Sequence, residues 1–324
     1  MRGIMLKKFK FIVVFIFIVL SPLYVFAAGE TGADFLRVEP PAETAAMSNV
    51  FAGIADNLNA IVFNPAGLIN IKYPQASFTH FSSFGDTNCE YLAGAIPFDP
   101  KKYGVIGAAF YVDYTFDFPY YNDYGDQVGN VDNYDLVAIL SYAYQVNDWF
   151  SAGVNLKYFD SKLYLYSKNG VAGDLGVLIK INSDPDTFAG ISLQNLGSQS
   201  AYISVADPLP ANIKAGLGIK FPMGDQAKVT AGLDVNRLLL DDELPTLDIG
   251  TEVLLFNVLS LRAGYGFRYS EQSVSLGIGL KMDSVRFSYS YQPFDVLGQT
   301  NRISVDVDFF NNVTTTAAAA DQNK

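Results

Sequence analysis

Residues 211–221 read Ala-Asn-Ile-Lys-Ala-Gly-Leu-Gly-Ile-Lys-Phe, and residues 261–269 read Leu-Arg-Ala-Gly-Tyr-Gly-Phe-Arg-Tyr. In both stretches an apolar residue alternates with a glycine or with a polar or charged residue. Successive side chains of a β-strand point to opposite faces, so each stretch predicts a strand with one apolar and one small or polar face. Strands of a membrane-spanning β-barrel have this pattern, with the apolar face toward lipid and the polar face toward the lumen.

The same period of two continues from about residue 75 to residue 310. The alternating runs between turn signals predict fourteen antiparallel strands, most of them about ten residues long, as a tilted membrane-spanning strand requires. Strands three and four are predicted at 103–115 and 133–144, which leaves a long third connection at 116–132. The longest connections are odd-numbered and the even ones are short, as in outer-membrane barrels. A secreted soluble sandwich or propeller would also alternate and stays open as the alternative.

Residues 1–27 have the features of a secretory signal peptide. Arg2, Lys7, Lys8 and Lys10 precede a continuous apolar run at 11–20, and cleavage is expected after Ala27. An uncleaved anchor helix is the alternative, since this segment is only just long enough to span a membrane. After residue 27 no run of 18 apolar residues occurs, so a membrane form of the remaining chain cannot be a helix bundle. The predicted location is the outer membrane of a Gram-negative-type bacterium.

Charge and composition exclude several functions. Without the segment 1–27 the chain has 18 Lys and Arg (22 − 4) against 33 Asp and Glu, which argues against a nucleic-acid partner. A single Cys and a single His exclude an internal disulfide framework and argue against a Cys/His zinc site. Cys89 and His80 have no catalytic signature around them, and no nucleophile elbow or phosphate loop occurs. We therefore expect no enzyme activity, cofactor or metal.

Residues 28–73 differ from the rest of the chain. The stretch 43–58 is rich in Ala and places Met47, Phe51, Ile54 and Leu58 at helical spacing, so it predicts a helix with one apolar face. It is followed by Asn64-Pro65-Ala66-Gly67, in which Pro65 disfavours a helical conformation of Asn64 and predicts a turn.

Several motifs, taken in order and spacing, resemble the PorV/PorQ family, which is related to the FadL-type long-chain fatty acid transporters of the outer membrane. The resemblance covers essentially the whole chain after residue 27. The matching stretches are 32–36 (Gly-Ala-Asp-Phe-Leu), the Ala-rich segment, 64–68 (Asn-Pro-Ala-Gly-Leu), 153–158 (Gly-Val-Asn-Leu-Lys-Tyr), 174–176 (Asp-Leu-Gly), 195–197 (Asn-Leu-Gly), 209–210 (Leu-Pro) and 261–265 (Leu-Arg-Ala-Gly-Tyr).

The resemblance implies an all-β fold: a 14-stranded transmembrane barrel whose N-terminal segment forms a small helical plug in the lumen. A plug is also expected on physical grounds, because the lumen of a 14-stranded barrel is too wide to be filled by wall side chains alone. The expected organisation is a signal peptide at 1–27, a plug segment at 28–73, a barrel at 74–310 and a disordered tail at 311–324. The tail departs from barrels that end on an aromatic residue, since here Phe309-Phe310 closes the last predicted strand.

Two candidate sites lie in the plug. Asn64, Pro65, Ala66 and Gly67 form either a plug hinge or a plain structural turn. Six apolar residues either line an apolar ligand pocket or pack the plug against itself and the wall. They are Phe51, Ile54, Leu58, Ile61, Phe63 and Leu68. A carboxylate ligand could pair with Arg262, Arg268 or Lys214, although lumen cations usually pair with lumen acids.

A third candidate site is an external aromatic loop that contains Tyr114, Phe116, Phe118, Tyr120 and Tyr121. It could bind hydrophobic solutes or a protein, or it could belong to the aromatic girdle at the membrane surface. Its aspartates do not have the spacing of an EF-hand calcium loop.

Two functions remain open. The first is passive uptake or binding of a hydrophobic molecule, which predicts a continuous apolar pocket between plug and barrel. The second, which the PorV side of the resemblance implies, is a type IX secretion component that shuttles or receives cargo, and it predicts a filled lumen and an external partner surface. The expected partners are outer-membrane lipid and either a hydrophobic small molecule or secretion-system proteins.

Overall fold

In a computed structural model of the protein, the described residues are 31–83, 87–99, 101–239, 244–267, 274–294 and 298–309. The predicted signal peptide and the predicted C-terminal tail lie outside the described residues, as does Arg268.

The described residues form a closed antiparallel barrel of fourteen strands, which confirms the predicted fold. Each strand pairs with its neighbours in sequence, and β1 closes the barrel against β14 from Gln75↔Asp308 to Ser82↔Asn301. The strands are β1 Gln75–Ser82, β2 Asn88–Pro97, β3 Val105–Tyr121, β4 Gln127–Asn147, β5 Phe150–Leu163, β6 Tyr166–Ser183, β7 Asp186–Gln199, β8 Asn212–Met223, β9 Ala227–Leu238, β10 Thr246–Leu255, β11 Leu259–Phe267, β12 Val274–Met282, β13 Val285–Phe294 and β14 Gly298–Asp308.

The two faces of the wall follow the alternation in the sequence. In β12, Leu276, Ile278 and Leu280 point outward and are exposed, whereas Ser275 and Gly279 point inward and are buried. The outer surface is therefore an apolar belt, as a lipid-facing barrel surface requires.

The lengths of the connections between strands distinguish the two ends of the barrel. Five of the even-numbered connections, at 148–149, 184–185, 224–226, 256–258 and 283–284, are tight turns at the end where the chain enters β1. The long connection at 200–211 lies at the opposite end. Because outer-membrane barrels have short periplasmic turns and longer external loops, we name these the periplasmic and the external end.

The prediction of a loop at 116–132 is wrong. β3 and β4 continue past the predicted ends as a hairpin whose turn is at 122–126. Asp117 has a left-handed φ of 56°, and its N–H donates to Asp132 Oδ1 at 3.1 Å, so the strand passes through a β-bulge between Thr115 and Phe118. The bulge changes the phase of the alternation, and with Pro119 it makes the stretch resemble a loop.

The N-terminal segment runs through the lumen from the external end to the periplasmic end. Near the external end Gly32 N–H donates to Pro208 O at 2.9 Å, and near the periplasmic end Pro74 O accepts from Phe309 N–H at 2.8 Å. We call the described part of this segment, residues 31–73, the plug. It contains the short helices α1 (Ala42–Ala45) and α2 (Ala60–Phe63) and two 3-10 helices, Asp34–Arg37 and Pro65–Asn70.

The predicted helix over 43–58 is also wrong, since only Ala42–Ala45 is α-helical there. Ser48 and Asn49 have φ of 56° and 59°, and Ala55 has φ of 23°, so the chain turns repeatedly instead of continuing the helix. Contacts with the wall override the helical preference of the sequence. Among the described residues, no helix is long and apolar enough to cross a membrane.

Candidate functional site

Inward-facing glycines of the wall allow the plug to lie directly against the strands. A Cβ at Gly153 of β5 would lie 2.5 Å from the backbone N of Ala66, and a Cβ at Gly250 of β10 would lie 2.9 Å from Met47 Cβ. Gly216 of β8 is matched by Gly53 of the plug, whose own Cβ would lie 2.7 Å from the Gly216 carbonyl oxygen. Glycine is required here because backbone packs on backbone.

The Asn64-Pro65 turn joins the plug to the wall at β6. Asn64 Nδ2 donates to Ala52 O and to Val177 O, both at 2.9 Å, and Asn64 Oδ1 accepts from Ala66 N–H at 3.2 Å. Asn64 thereby caps the 3-10 helix that Pro65 begins. The four residues of the predicted hinge are buried, and their role as a hinge stays a prediction.

Two wall carboxylates bind the middle of the plug. Asp234 Oδ2 of β9 accepts from the N–H groups of Phe51 and Ala52, at 2.8 Å each. Asp248 Oδ1 of β10 accepts from Ser48 Oγ at 3.2 Å. Asp234 and Asp248 are not among the residues predicted from the sequence, although each occupies a polar-face position of a predicted strand and can be found from the alternation.

Two of the three candidate cations for a carboxylate ligand, Lys214 and Arg262, are already paired, and the third, Arg268, lies outside the described residues. Lys214 forms an ion pair with Glu39 of the plug. Arg262 Nε donates to Glu252 Oε2 at 2.6 Å, and its Nη2 lies 3.6 Å from Glu43 Oε1. These side chains therefore attach the plug to the wall, as lumen cations paired with lumen acids do.

Three of the motifs that carry the family resemblance meet in one buried polar cluster. Asn155 Nδ2 donates to Asp174 Oδ2 at 2.7 Å and to Ile61 O of the plug at 2.8 Å. Lys157 Nζ lies 2.9 Å from Asp174 Oδ2 and donates to Asn195 Oδ1 at 2.8 Å. The sequence motifs thus identify where β5, β6 and β7 hold the plug.

The six residues predicted to bind a ligand form the interior of the plug. Each is at most 2% exposed, and the rings of Phe51 and Phe63 meet edge to face at 5.5 Å. Among the described residues, none of the main cavities is lined by any of these six: Phe51, Ile54, Leu58, Ile61, Phe63 and Leu68.

Those cavities have mixed linings, in which charged and apolar side chains lie side by side. Two open toward the periplasmic end, with volumes of about 720 and 570 Å³, and share Asp56, Asp186 and Lys220. One of about 260 Å³, lined by Glu39 and Lys214 among others, lies nearer the external end. In the described part of the chain these cavities make no continuous apolar pocket between plug and wall.

The predicted aromatic residues lie on strand β3 and divide between its two faces. Tyr114 and Phe116 point outward and stack at 4.6 Å. Beyond the bulge, Phe118 and Tyr120 pair with Val131 and Gly129 on the inward-facing side, where Tyr120 stacks on Tyr164 at 4.9 Å. Tyr121 is exposed beside the turn.

Cys89 and His80 lie on opposite faces of the wall. Cys89 is buried in the lumen, whereas His80 points outward and its Nδ1 lies 2.8 Å from Glu90 Oε1. The two side chains therefore cannot act on one substrate. Within the described ranges, no group of three or more His, Cys, Asp or Glu is placed to hold a metal ion.

Comparison with known proteins gives one family and one fold. The model of a family described as type IX secretion system membrane protein PorP/SprF matches residues 122–301. No curated protein matches the chain.

Among solved structures, the toluene transporter TodX of P. putida is 14% identical with a TM-score of 0.53 and covers 84% of this chain and 99% of its own. A Pseudomonas aeruginosa FadL homologue is 12% identical with a TM-score of 0.54 and covers 83% and 98%. The monoaromatic hydrocarbon channel CymD is 15% identical with a TM-score of 0.55 and covers 85% and 98%. At these identities the likeness establishes a FadL-type barrel fold.

Proposed function

The chain belongs to the PorP/SprF family of type IX secretion system membrane proteins, and from this we propose that it is a permanently plugged barrel that serves secretion through its surfaces and not through its lumen. It is an outer-membrane β-barrel of a Gram-negative-type bacterium. Residues 28–73 act in this proposal as a structural plug, and residues 1–27 as the export signal.

The observation that carries the proposal is the plug packed across the lumen. The apolar plug residues are buried against each other, and at the wall glycines the plug backbone lies directly against the strands. Charges paired with Glu39 and Glu43 of the plug attach it at Lys214 and Arg262. A route for a hydrophobic solute requires a mostly apolar pocket, and in both cavities at the periplasmic end charged side chains interrupt the apolar lining.

We extend the proposal to the handling of secreted cargo, as the PorV/PorQ resemblance of the sequence implies. The buried cluster of Asn155, Lys157, Asp174 and Asn195 supports it, because these motif residues join three strands and, through Asn155, hold the plug at Ile61. In this role the barrel receives or shuttles cargo at its external end.

A second candidate function is uptake of a hydrophobic molecule. It is favoured by the FadL-type fold, since the similar solved structures include the toluene transporters TodX and TbuX. Uptake through this lumen would require the plug to move, because the six apolar residues are closed off in the structure.

A disulfide lock distinguishes the two functions. In a Cys89→Ser background, Gly32→Cys and Asp207→Cys place two cysteines where an added Cβ at 32 lies 2.9 Å from Cβ of residue 207 and meets only side-chain atoms. A disulfide needs a Cβ–Cβ distance of about 3.5–4.5 Å, so a shift of about 1 Å allows the bond. The oxidised pair fixes the start of the plug to the external connection 200–211, while the chain itself fixes its other end to β1.

We expect oxidised cells to secrete type IX cargo at the level of the reduced cells and of the Cys89→Ser parent. The single variants Gly32→Cys and Asp207→Cys, treated with the same oxidant, are the matched controls. If locking stops growth on a hydrophobic carbon source while cargo secretion continues, uptake is the function. If deletion of the whole chain leaves cargo secretion unchanged, the proposed secretion role is excluded.

A further inference from the structure

The β3–β4 hairpin projects beyond the barrel and has unpaired strand edges. β2 pairs with β3 up to Asn88↔Tyr114, and β5 pairs with β4 up to Tyr134↔Lys162. Beyond these points, residues 115–121 and 127–133 pair only with each other among the described residues. A two-stranded projection of this kind exposes backbone N–H and C=O groups on its edges.

The edge of β4 is the open one. β3 carries Pro119 in its projecting part, and proline on an edge strand removes a donor and blocks pairing. The β4 edge at 127–133 contains no proline, and it includes exposed Val128. At its foot Tyr164 N–H donates to the side chain of Asn133 at 2.9 Å, so the β5–β6 turn ends where the free edge begins.

The hairpin has a single sign of charge. Residues 114–133 include Asp117, Asp123, Asp126 and Asp132 and no Lys or Arg. On the neighbouring strand β5, Lys162 lies across from Tyr134, below the free edge. An incoming strand therefore meets a surface of net negative charge with exposed aromatic rings, of which Tyr124 is 91% exposed.

We propose that the β4 edge of this hairpin binds an extended, lysine- or arginine-bearing segment of a protein partner by β-strand addition. Main-chain hydrogen bonds to residues 127–133 provide the affinity, and the four aspartates with the surrounding rings select a cationic strand with apolar residues between its charges. This deepens the proposed function and rests on it, because the partner class would be a secretion cargo or component.

A lipid partner fits the same surface poorly. Lipid headgroups that attract proteins by charge are anionic and bind clusters of Lys and Arg, whereas the hairpin has only acids. A free backbone edge also has no counterpart in a lipid. Binding of anionic vesicles to the hairpin is therefore an outcome that contradicts the proposal.

The test uses the full chain in detergent micelles and a fluorescent ten-residue peptide in which Lys alternates with Val and Thr. We expect saturable binding by fluorescence anisotropy. The same peptide with prolines at two central positions should bind at least tenfold weaker, because it cannot pair with an edge. A peptide with Glu in place of Lys should show no saturable binding. Equal binding of the proline peptide would reduce the interaction to charge attraction and overturn strand addition.

Two variants of the protein locate the site. The first variant replaces the four hairpin aspartates and should weaken peptide binding at least fivefold; it combines Asp117→Asn, Asp123→Asn, Asp126→Asn and Asp132→Asn. The control removes the same number of charges at the periplasmic end and should leave peptide binding unaltered; it combines Asp99→Asn, Asp148→Asn, Asp184→Asn and Asp225→Asn.

Replacing residues 117–131 by Asn-Gly keeps the Thr115↔Asn133 pair and closes the shorter hairpin with a two-residue turn. This variant should not bind the peptide, and its heat-modifiable mobility on a gel should show that the barrel is still folded. Undiminished binding to the shortened hairpin would refute the site. That result would not contradict the proposed secretion role, because the role is tested separately by deletion of the whole chain.

Discussion

Replacement of Asp234 by Ala tests whether the plug is held as firmly as its contacts indicate. Asp234 is 1% exposed, and one of its oxygens accepts from both Phe51 N–H and Ala52 N–H at 2.8 Å. The alanine variant leaves these two buried donors without their acceptor, and each unsatisfied donor costs about 1–3 kcal/mol. The docked plug should therefore lose about 2–6 kcal/mol. Since about 1.4 kcal/mol is a tenfold change, even the lower limit raises the undocked fraction roughly 25-fold.

The assay is ion conductance of the purified barrel in planar bilayers, where an undocked plug leaves a water-filled lumen. We expect open events at least about 20 times more frequent for Asp234→Ala than for the wild type, consistent with the lower limit above. Asp234→Asn keeps an oxygen acceptor for both amides and should stay near the wild type. Asp186→Ala removes an exposed acid paired with Lys180 and should change little. Equal conductance of Asp234→Ala and Asp234→Asn would refute the assignment of Asp234 as a plug anchor.

Three further outcomes follow from the same contacts. Gly153→Val should prevent folding to the heat-modifiable form because its side chain collides with the plug backbone at Pro65 and Ala66, whereas Gly129→Ala, with no atom within 4 Å of its Cβ, should fold normally. Asn64→Ala removes two side-chain hydrogen bonds and a helix cap, and by conductance it should undock the plug with a loss of about 2–4 kcal/mol. Asp174→Ala leaves Lys157 buried without its counter-ion, so it should lower the free energy of unfolding by about 3–5 kcal/mol, measured by urea unfolding from micelles. Asp174→Asn should lower it less, and equal losses would contradict the ion pair.

The barrel could be predicted from the sequence because its lipid and lumen faces impose a period of two along every strand. In β8, for example, Leu217 faces outward while Gly216 and Gly218 face inward, and this alternation is visible without a structure. Strand ends were predictable where a turn interrupts the alternation, as at 224–226. They were not predictable in β3, since the bulge at Asp117 shifts the phase and the strand continues.

The path of the plug could not be predicted, because it is fixed by the wall. The Ala-rich stretch has a helical preference, yet Ser48 and Asn49 adopt left-handed conformations beside Asp248 and Gly250. Its apolar residues were recognised as buried or ligand-facing, but only the enclosing strands decide between these two. The wall partners Asp234 and Asp248 are far away in sequence, so no local pattern links them to the plug.

The distribution of charges in the lumen argues that plug and barrel form one structural unit. If the plug left, Lys214 would lose Glu39 and Arg262 would lose Glu43, while Asp234 would lose two amide donors. Water entering the lumen would solvate these groups, so the loss is smaller than in a dry core, but the plug would expose its apolar interior around Phe51 and Phe63 at the same time. Both effects favour the docked state, and the wall glycines leave the plug backbone the space it occupies against the strands. A barrel built in this way is suited to present its external surface, and the acidic hairpin is the most prominent part of that surface.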